Sequence, residues 1–175
     1  MHGSFSWVSL ARWYLLPSMP PRPRAPEPAP EARRRPEFVW PADVPEDAIA
    51  SQLLSLGYAP GDVKHIVATH LHVDHIGGAV DFPHATVHCT EAEWDVLLSG
   101  RRGYDPRTKH LPRVHRHGVS GAPALGFAAS DDLFGDGTFL LLDARAHSRG
   151  SAAVAVKLQE GWCVHTGDAA MFAED

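Results

Sequence analysis

The chain has 175 residues, 44% of them hydrophobic, and a formal charge of −5, which allows one domain with a real core. That charge is ordinary, and no basic face or acidic tail stands out to engage nucleic acid; no run reaches the roughly 18 apolar residues that a membrane helix needs. The two cysteines, Cys89 and Cys163, lie in apolar strand-like runs. There they are expected as small buried side chains in a reducing cytoplasm rather than as a disulfide or a metal site.

Phe5 to Leu16 is apolar in patches but broken by Ser6, Ser9 and Arg12, and it lacks both a basic leader and a small-residue cleavage site, so no signal peptide is expected. Residues 1–42 stand apart from the rest. Prolines recur from Pro17 to Pro41, including Pro20-Pro21-Arg22-Pro23 and Arg33-Arg34-Arg35-Pro36. Such a run supports neither a helix nor a central strand and has little to bury, which predicts a disordered or extended arm with solvated arginines. Phe38, Val39 and Trp40 are expected to anchor this arm to a domain over residues 43–175.

That domain opens with a predicted helix. Pro45-Glu46-Asp47 suits its first turn, Ile49, Leu53 and Leu56 give an apolar stripe, and Gly57 closes it. A turn at Pro60-Gly61-Asp62 leads into a strand from Val63 to Thr69. Ala85 to Cys89 reads as a second short strand, flanked by His84 and His88 as partly exposed structural residues. Thr90-Glu91-Ala92-Glu93 has capping-box spacing, and Trp94, Leu97 and Leu98 form the buried face of the helix that follows. Residues 101–122 carry no periodicity; a long irregular segment in a small domain is often a functional loop, here a candidate lid over a substrate cleft. His115 and His117 alternate like ligands, yet no carboxylate or cysteine stands beside them in sequence. Thr138 to Leu142, Ala152 to Leu158 and Trp162 to Thr166 read as strands, the last two joined by a turn at Glu160-Gly161.

Chemistry concentrates at Thr69-His70-Leu71-His72-Val73-Asp74-His75-Ile76-Gly77-Gly78. Three imidazoles and a carboxylate within six positions are a typical donor set for zinc and similar ions. If the strand direction continues, His70 and His72 point to one side, while adjacent Asp74 and His75 diverge, which suits two neighbouring ions better than one. Gly77 and Gly78 leave the chain free to turn just beyond.

His70-Leu71-His72-Val73-Asp74-His75 with Gly77-Gly78 resembles the signature of the metallo-β-lactamase superfamily of metal-dependent hydrolases. Two later segments match in order. Ala146-His147-Ser148-Arg149-Gly150-Ser151 looks like the family's second histidine motif, with Ser151 in place of its last His, and Gly167-Asp168 looks like its bridging aspartate. The resemblance covers about residues 44–175 and implies an α+β fold, the family's αββα sandwich. It further implies that His70, His72, Asp74, His75, His147 and Asp168 hold two divalent ions, zinc first, with iron or manganese acceptable to the same donors. His165 would pack beside the site rather than on a metal.

The family fold begins with strands carrying an Asp-x-Gly turn and takes a further histidine well after the bridging aspartate. The proline-rich arm fills the first place here, and seven residues follow Asp168, so the sequence resembles the middle of a longer member, incomplete at both ends. The implied reaction is attack by a metal-activated hydroxide on an ester, lactone or thioester carbonyl of a small molecule, with Asp74 as the proton-handling catalytic group. The spacing from the metal loop through Thr90-Glu91-Ala92-Glu93-Trp94 is similar to the acyl-homoserine-lactone lactonase branch, with the glyoxalase-type thioesterases next and a β-lactam substrate less favoured. The alternative is a truncated, non-catalytic metal-binding or interaction module, for which a homo-oligomer covering exposed sheet edges is the natural form.

Overall fold

A computed structural model of the chain describes Trp7–Val8 and residues 48–169. The expected anchor at Phe38, Val39 and Trp40 and the helix opening at Pro45-Glu46-Asp47 lie outside the described residues. Within residues 1–42, Trp7–Val8 forms strand β1 beside β2 (His65–Val67), and the rest of the expected arm lies outside the described residues.

Among the described residues, eight strands form two sheets. One is parallel, in the order β1, β2 (His65–Val67), β3 (Thr86–Thr90) and β4 (Val114–His117). The other is antiparallel: β5 (Ser130–Asp132), β6 (Phe139–Asp143), β7 (Ala152–Leu158) and β8 (Gly161–His165), each beside the next. Helix α1 (Ile49–Ser55) and helix α3 (Glu91–Leu98) accompany the parallel sheet, and a one-turn helix, α2 (Val73–Ile76), follows β2.

The two-residue period of the strands sorts the core into layers. Ile66 of β2 and Val87 and Cys89 of β3 pack with Leu71, Ile76, Phe82 and Leu97, and with Ile49, Ala50, Leu53 and Trp94 of the helices. On the opposite face, Val67 meets Phe139, Leu141, Ala152 and Val154 between the sheets. Leu142, Ala153 and Ala155 turn to the far side of the antiparallel sheet, beneath Ala124 and Phe127. The α+β class therefore holds, and three of the sandwich's four layers are present among the described residues. Each large apolar side chain buried in this way contributes about 1.5–3 kcal/mol.

Several sequence expectations shift in detail. Residues 101–122 are partly ordered: Pro106–His110 is a 3-10 turn and Val114–His117 pairs with β3 along its length. Leu56 caps α1 from an exposed position, where Gly57 turns the chain with φ +87°. Cys163 is exposed on β8, against the expectation for both cysteines; Cys89 is buried, and its thiol pKa is pushed up to about 12, by burial first and then by nearby Glu93. His84 is exposed, whereas His88 is fully packed away on β3.

The two sheets meet at the end of β2. Ala152 N–H donates to the Thr69 carbonyl at 2.8 Å, and Thr90 Oγ1 donates to the Gly150 carbonyl at 2.6 Å. Gly150 is required there, since a Cβ would stand 2.0 Å from the Glu93 backbone nitrogen.

Candidate metal centre

Three loops at one end of the sheets carry the donor residues. The chain leaves β2 at Val67, not Thr69, and His72 becomes the N-cap of α2 in an extended conformation. His70 and His72 therefore meet through a bend rather than through strand periodicity. Gly77 and Gly78 lie in a 3-10 turn with ordinary negative φ at Gly77, so their extra freedom is not used. His147 comes from the loop after β6. Ser151 staples that loop, donating its hydroxyl to the Ala144 carbonyl at 2.7 Å, with Ala146 N–H and Ser148 N–H both 3.4 Å from its oxygen. Asp168 sits in the 3-10 turn Gly167–Ala169 after β8. Gly167 has φ +56°, and a Cβ there would meet Thr69 Oγ1 at 2.6 Å, so glycine is what lets this turn close onto the loop bearing His70.

All six predicted residues come together. His72 Nδ1 lies 3.1 Å from His70 Nε2 and 3.0 Å from His147 Nε2. Asp168 faces two ways: Oδ2 is 3.5 Å from His147 Nε2 and 3.8 Å from His70 Nε2, while Oδ1 is 3.3 Å from His75 Nε2. Asp74 Oδ2 is 3.6 Å from His75 Nε2, so these neighbours lean together instead of diverging as expected. His70 is fully buried, His147 and Asp168 are about a quarter exposed and Asp74 is half exposed, which gives the centre one open side. His165 packs near His75 and Asp168, as expected; its pKa is lowered by burial first and then by His75.

The donor set fits a cation. One imidazole nitrogen carries either a lone pair or a proton, and His72 Nδ1 cannot serve two further ring nitrogens about 3 Å away as an ordinary hydrogen-bond partner. Lone pairs converging on one point are the arrangement an ion stabilises. His75 Nδ1 is buried without a hydrogen-bond partner among the described residues, a further sign of an incompletely satisfied polar centre. Burial, then the neighbouring His75, His72 and His147, lowers the His70 pKa to about 2, which keeps its ring neutral and able to ligate. His70, His72 and His147 form one group with ligating atoms in reach of a single ion; His70, His75 and Asp168 form another.

Support around the donors was only partly foreseen. Thr69 Oγ1 stands 3.3 Å from His70 Nδ1, in position to accept its proton and leave Nε2 facing the centre. Tyr104 packs edge-on against His72 with ring centroids 4.6 Å apart, and Gly103 approaches the same ring closely, so the start of the candidate lid does touch the site. The residue sequence reasoning missed is Glu93. Thr90 Oγ1 accepts from Glu93 N–H at 3.0 Å as in a capping box, but the Glu93 carboxylate turns inward. It accepts from Leu71 N–H at 2.9 Å, from the Tyr104 hydroxyl at 2.8 Å and from the Ser148 hydroxyl at 2.5 Å. One fully buried side chain thus ties the His70–His72 loop to the His147 loop.

The donor groups could hold metal ions, and comparison with known proteins places the fold. The sequence profile of the metallo-beta-lactamase superfamily matches residues 28–175, and the chain belongs to that superfamily. It is 40% identical over 139 residues to a Mycobacterium tuberculosis protein described as a probable metallo-hydrolase, a match covering 74% of this chain and 44% of that one. It is 28% identical over 126 residues to the N-acyl homoserine lactonase AttM of Agrobacterium fabrum, covering 70% of this chain and 46% of that one. Among solved structures, an N-acyl homoserine lactone hydrolase with N-hexanoyl-L-homoserine bound at its catalytic metal centre shares the fold, with a TM-score of 0.55 and 24% identity over 71% of this chain and 45% of that one. The chain thus spans less than half the length of these relatives. Among the described residues, no helix is long and apolar enough to cross a membrane.

Proposed function

We propose that this domain is a metal-dependent hydrolase that opens the ester bond of a lactone, with His70, His72, Asp74, His75, His147 and Asp168 holding two divalent ions. The reading rests most on Asp168, whose Oδ2 faces His70 and His147 while Oδ1 faces His75, with His70 common to both donor groups. Divalent ions in such a site supply Lewis acidity and allow water to ionise near neutral pH. Zinc suits these nitrogen and oxygen donors best, and iron or manganese would also be accepted. His70 and His75, shielded from solvent, fix the floor of the site, and His147 forms its accessible rim. Asp74, half exposed beside His75, is placed to take a proton from the attacking water and return it to the leaving alkoxide. Tyr104 closes one wall against His72.

A lactone is favoured over a thioester because several similar proteins are N-acyl homoserine lactonases. Purified full-length chain, reloaded with zinc after chelation, should hydrolyse an N-acyl homoserine lactone faster than an acyl thioester, as followed by proton release and thiol release. His72→Ala should abolish both. Turnover that survives that substitution, or an inert zinc-loaded wild type, would defeat the proposal.

A further inference from the structure

A second histidine cluster shares no residue with the first. It lies in the space between the sheets, where the parallel sheet's neighbouring Val67 is apolar. His65 of β2, His88 of β3 and His115 and His117 of β4 are near neighbours across strands, with His88 paired directly to His115. His88 and His117 are buried, whereas His115 is exposed. Ordinary packing would fill this space with aliphatic side chains, since a buried imidazole must be paid for with partners.

The partners are arranged as in a ligand set. Asp131, from β5 of the opposite sheet, accepts from His117 Nδ1–H at 2.7 Å, which leaves the lone pair on Nε2 facing the cluster. His88 Nδ1 stands 2.9 Å from that Nε2, and the far nitrogen of His88 is 3.0 Å from His65 Nδ1. The His115 ring stacks on His117 at 4.4 Å and 16°, bringing a third imidazole alongside from the solvent side. Ligating atoms of His88, His115 and His117 all lie within 4.8 Å of one another. A carboxylate behind one ligand and an imidazole behind another are the outer contacts that fix tautomer and orientation in metal sites.

We propose that His88, His115 and His117 form a further binding site for a divalent transition-metal ion such as zinc or nickel, oriented by Asp131 and His65 and open to solvent beside His115. Three neutral imidazoles with an open position match the preferences of these ions. Because Asp131 belongs to the other sheet, an ion here would also fasten the two sheets together.

The test counts ions. Full-length chain is stripped with a chelator, reloaded with zinc, dialysed and assayed for metal per chain. His115→Ala should hold one ion fewer than wild type, while His84→Ala, an exposed control, should match it. The same one-ion difference should separate His72→Ala from the His72→Ala/His115→Ala double variant, which keeps this site independent of the hydrolase reading. Asp131→Asn should weaken the ion's binding about 10–100-fold. In wild-type protein, zinc titration followed by NMR should shift the ring nitrogens of His88, His115 and His117, a readout that needs no variant to fold. Equal ion counts with and without His115, or unmoved ring signals, would overturn the proposal.

Discussion

Glu93 offers the most informative substitution because one side chain holds three separate segments. Its carboxylate accepts from Leu71 N–H, the Tyr104 hydroxyl and the Ser148 hydroxyl. Glu93→Ala strands the Leu71 N–H in a fully buried position, which costs about 1–3 kcal/mol. Tyr104 and Ser148 are half-buried and can turn toward water, so each adds about 0.5–1.5 kcal/mol. The total, about 2–6 kcal/mol, is a large part of the stability of an ordinary domain. Glu93→Gln keeps an oxygen for Leu71 and Tyr104 but loses the charge and the acceptor for the Ser148 hydroxyl, which can turn to water, so about 1 kcal/mol is expected. Urea unfolding of the metal-free chain measures both values. Zinc affinity should also fall about 10–100-fold in Glu93→Ala, since the loops bearing His70, His72 and His147 lose their common tie. If Glu93→Ala unfolds within about 0.5 kcal/mol of wild type and binds zinc equally well, the reasoning is refuted.

Other predictions follow from close contacts and exposure. Gly150→Ala places a Cβ 2.0 Å from the Glu93 nitrogen, where backbone must yield; a loss above about 4 kcal/mol is expected in urea titration. Gly167→Ala combines positive φ with a 2.6 Å approach to Thr69 Oγ1, so about 1–2 kcal/mol should be lost to backbone strain alone and zinc affinity should drop as Asp168 shifts; unchanged affinity would show that Asp168 is not a ligand. Thr90→Ala removes both the cap on Glu93 N–H and the bond to the Gly150 carbonyl, for about 1–2 kcal/mol. In native protein one thiol, Cys163, should react promptly with a disulfide reagent, and Cys89 only after denaturation.

What the sequence revealed depended on whether the physical signal was local. The donors at His70, His72, Asp74 and His75 crowd into six positions and declare their chemistry without any fold. His147 and Asp168 were legible only through the order of motifs, and the structure brings both to the same centre. Strand periodicity located β6 and β7, whose apolar side chains alternate between the two faces of their sheet, whereas β8 is exposed along nearly its whole length and was legible from the turn at Glu160-Gly161. The same signal fails for β4 and β5, where Val114-His115-Arg116-His117 and Ser130-Asp131-Asp132 offer almost no apolar face; their pairing is dictated by neighbours. Glu93 was masked by its own position. At the third place of a helix it already had a local role to play, and its actual partners lie 11, 22 and 55 residues away. His88 was misjudged for a similar reason, since the groups that satisfy its two ring nitrogens come from β2 and β4.

The central claim is that the loops after β2, β6 and β8 converge on bound metal. Anomalous diffraction from zinc-loaded crystals addresses it directly. The account predicts an ion about 2.0–2.1 Å from His70 Nε2, His72 Nδ1 and His147 Nε2, with Asp168 between it and a second ion near His75. Zinc found only elsewhere on the chain, with those three nitrogens unligated, would contradict it.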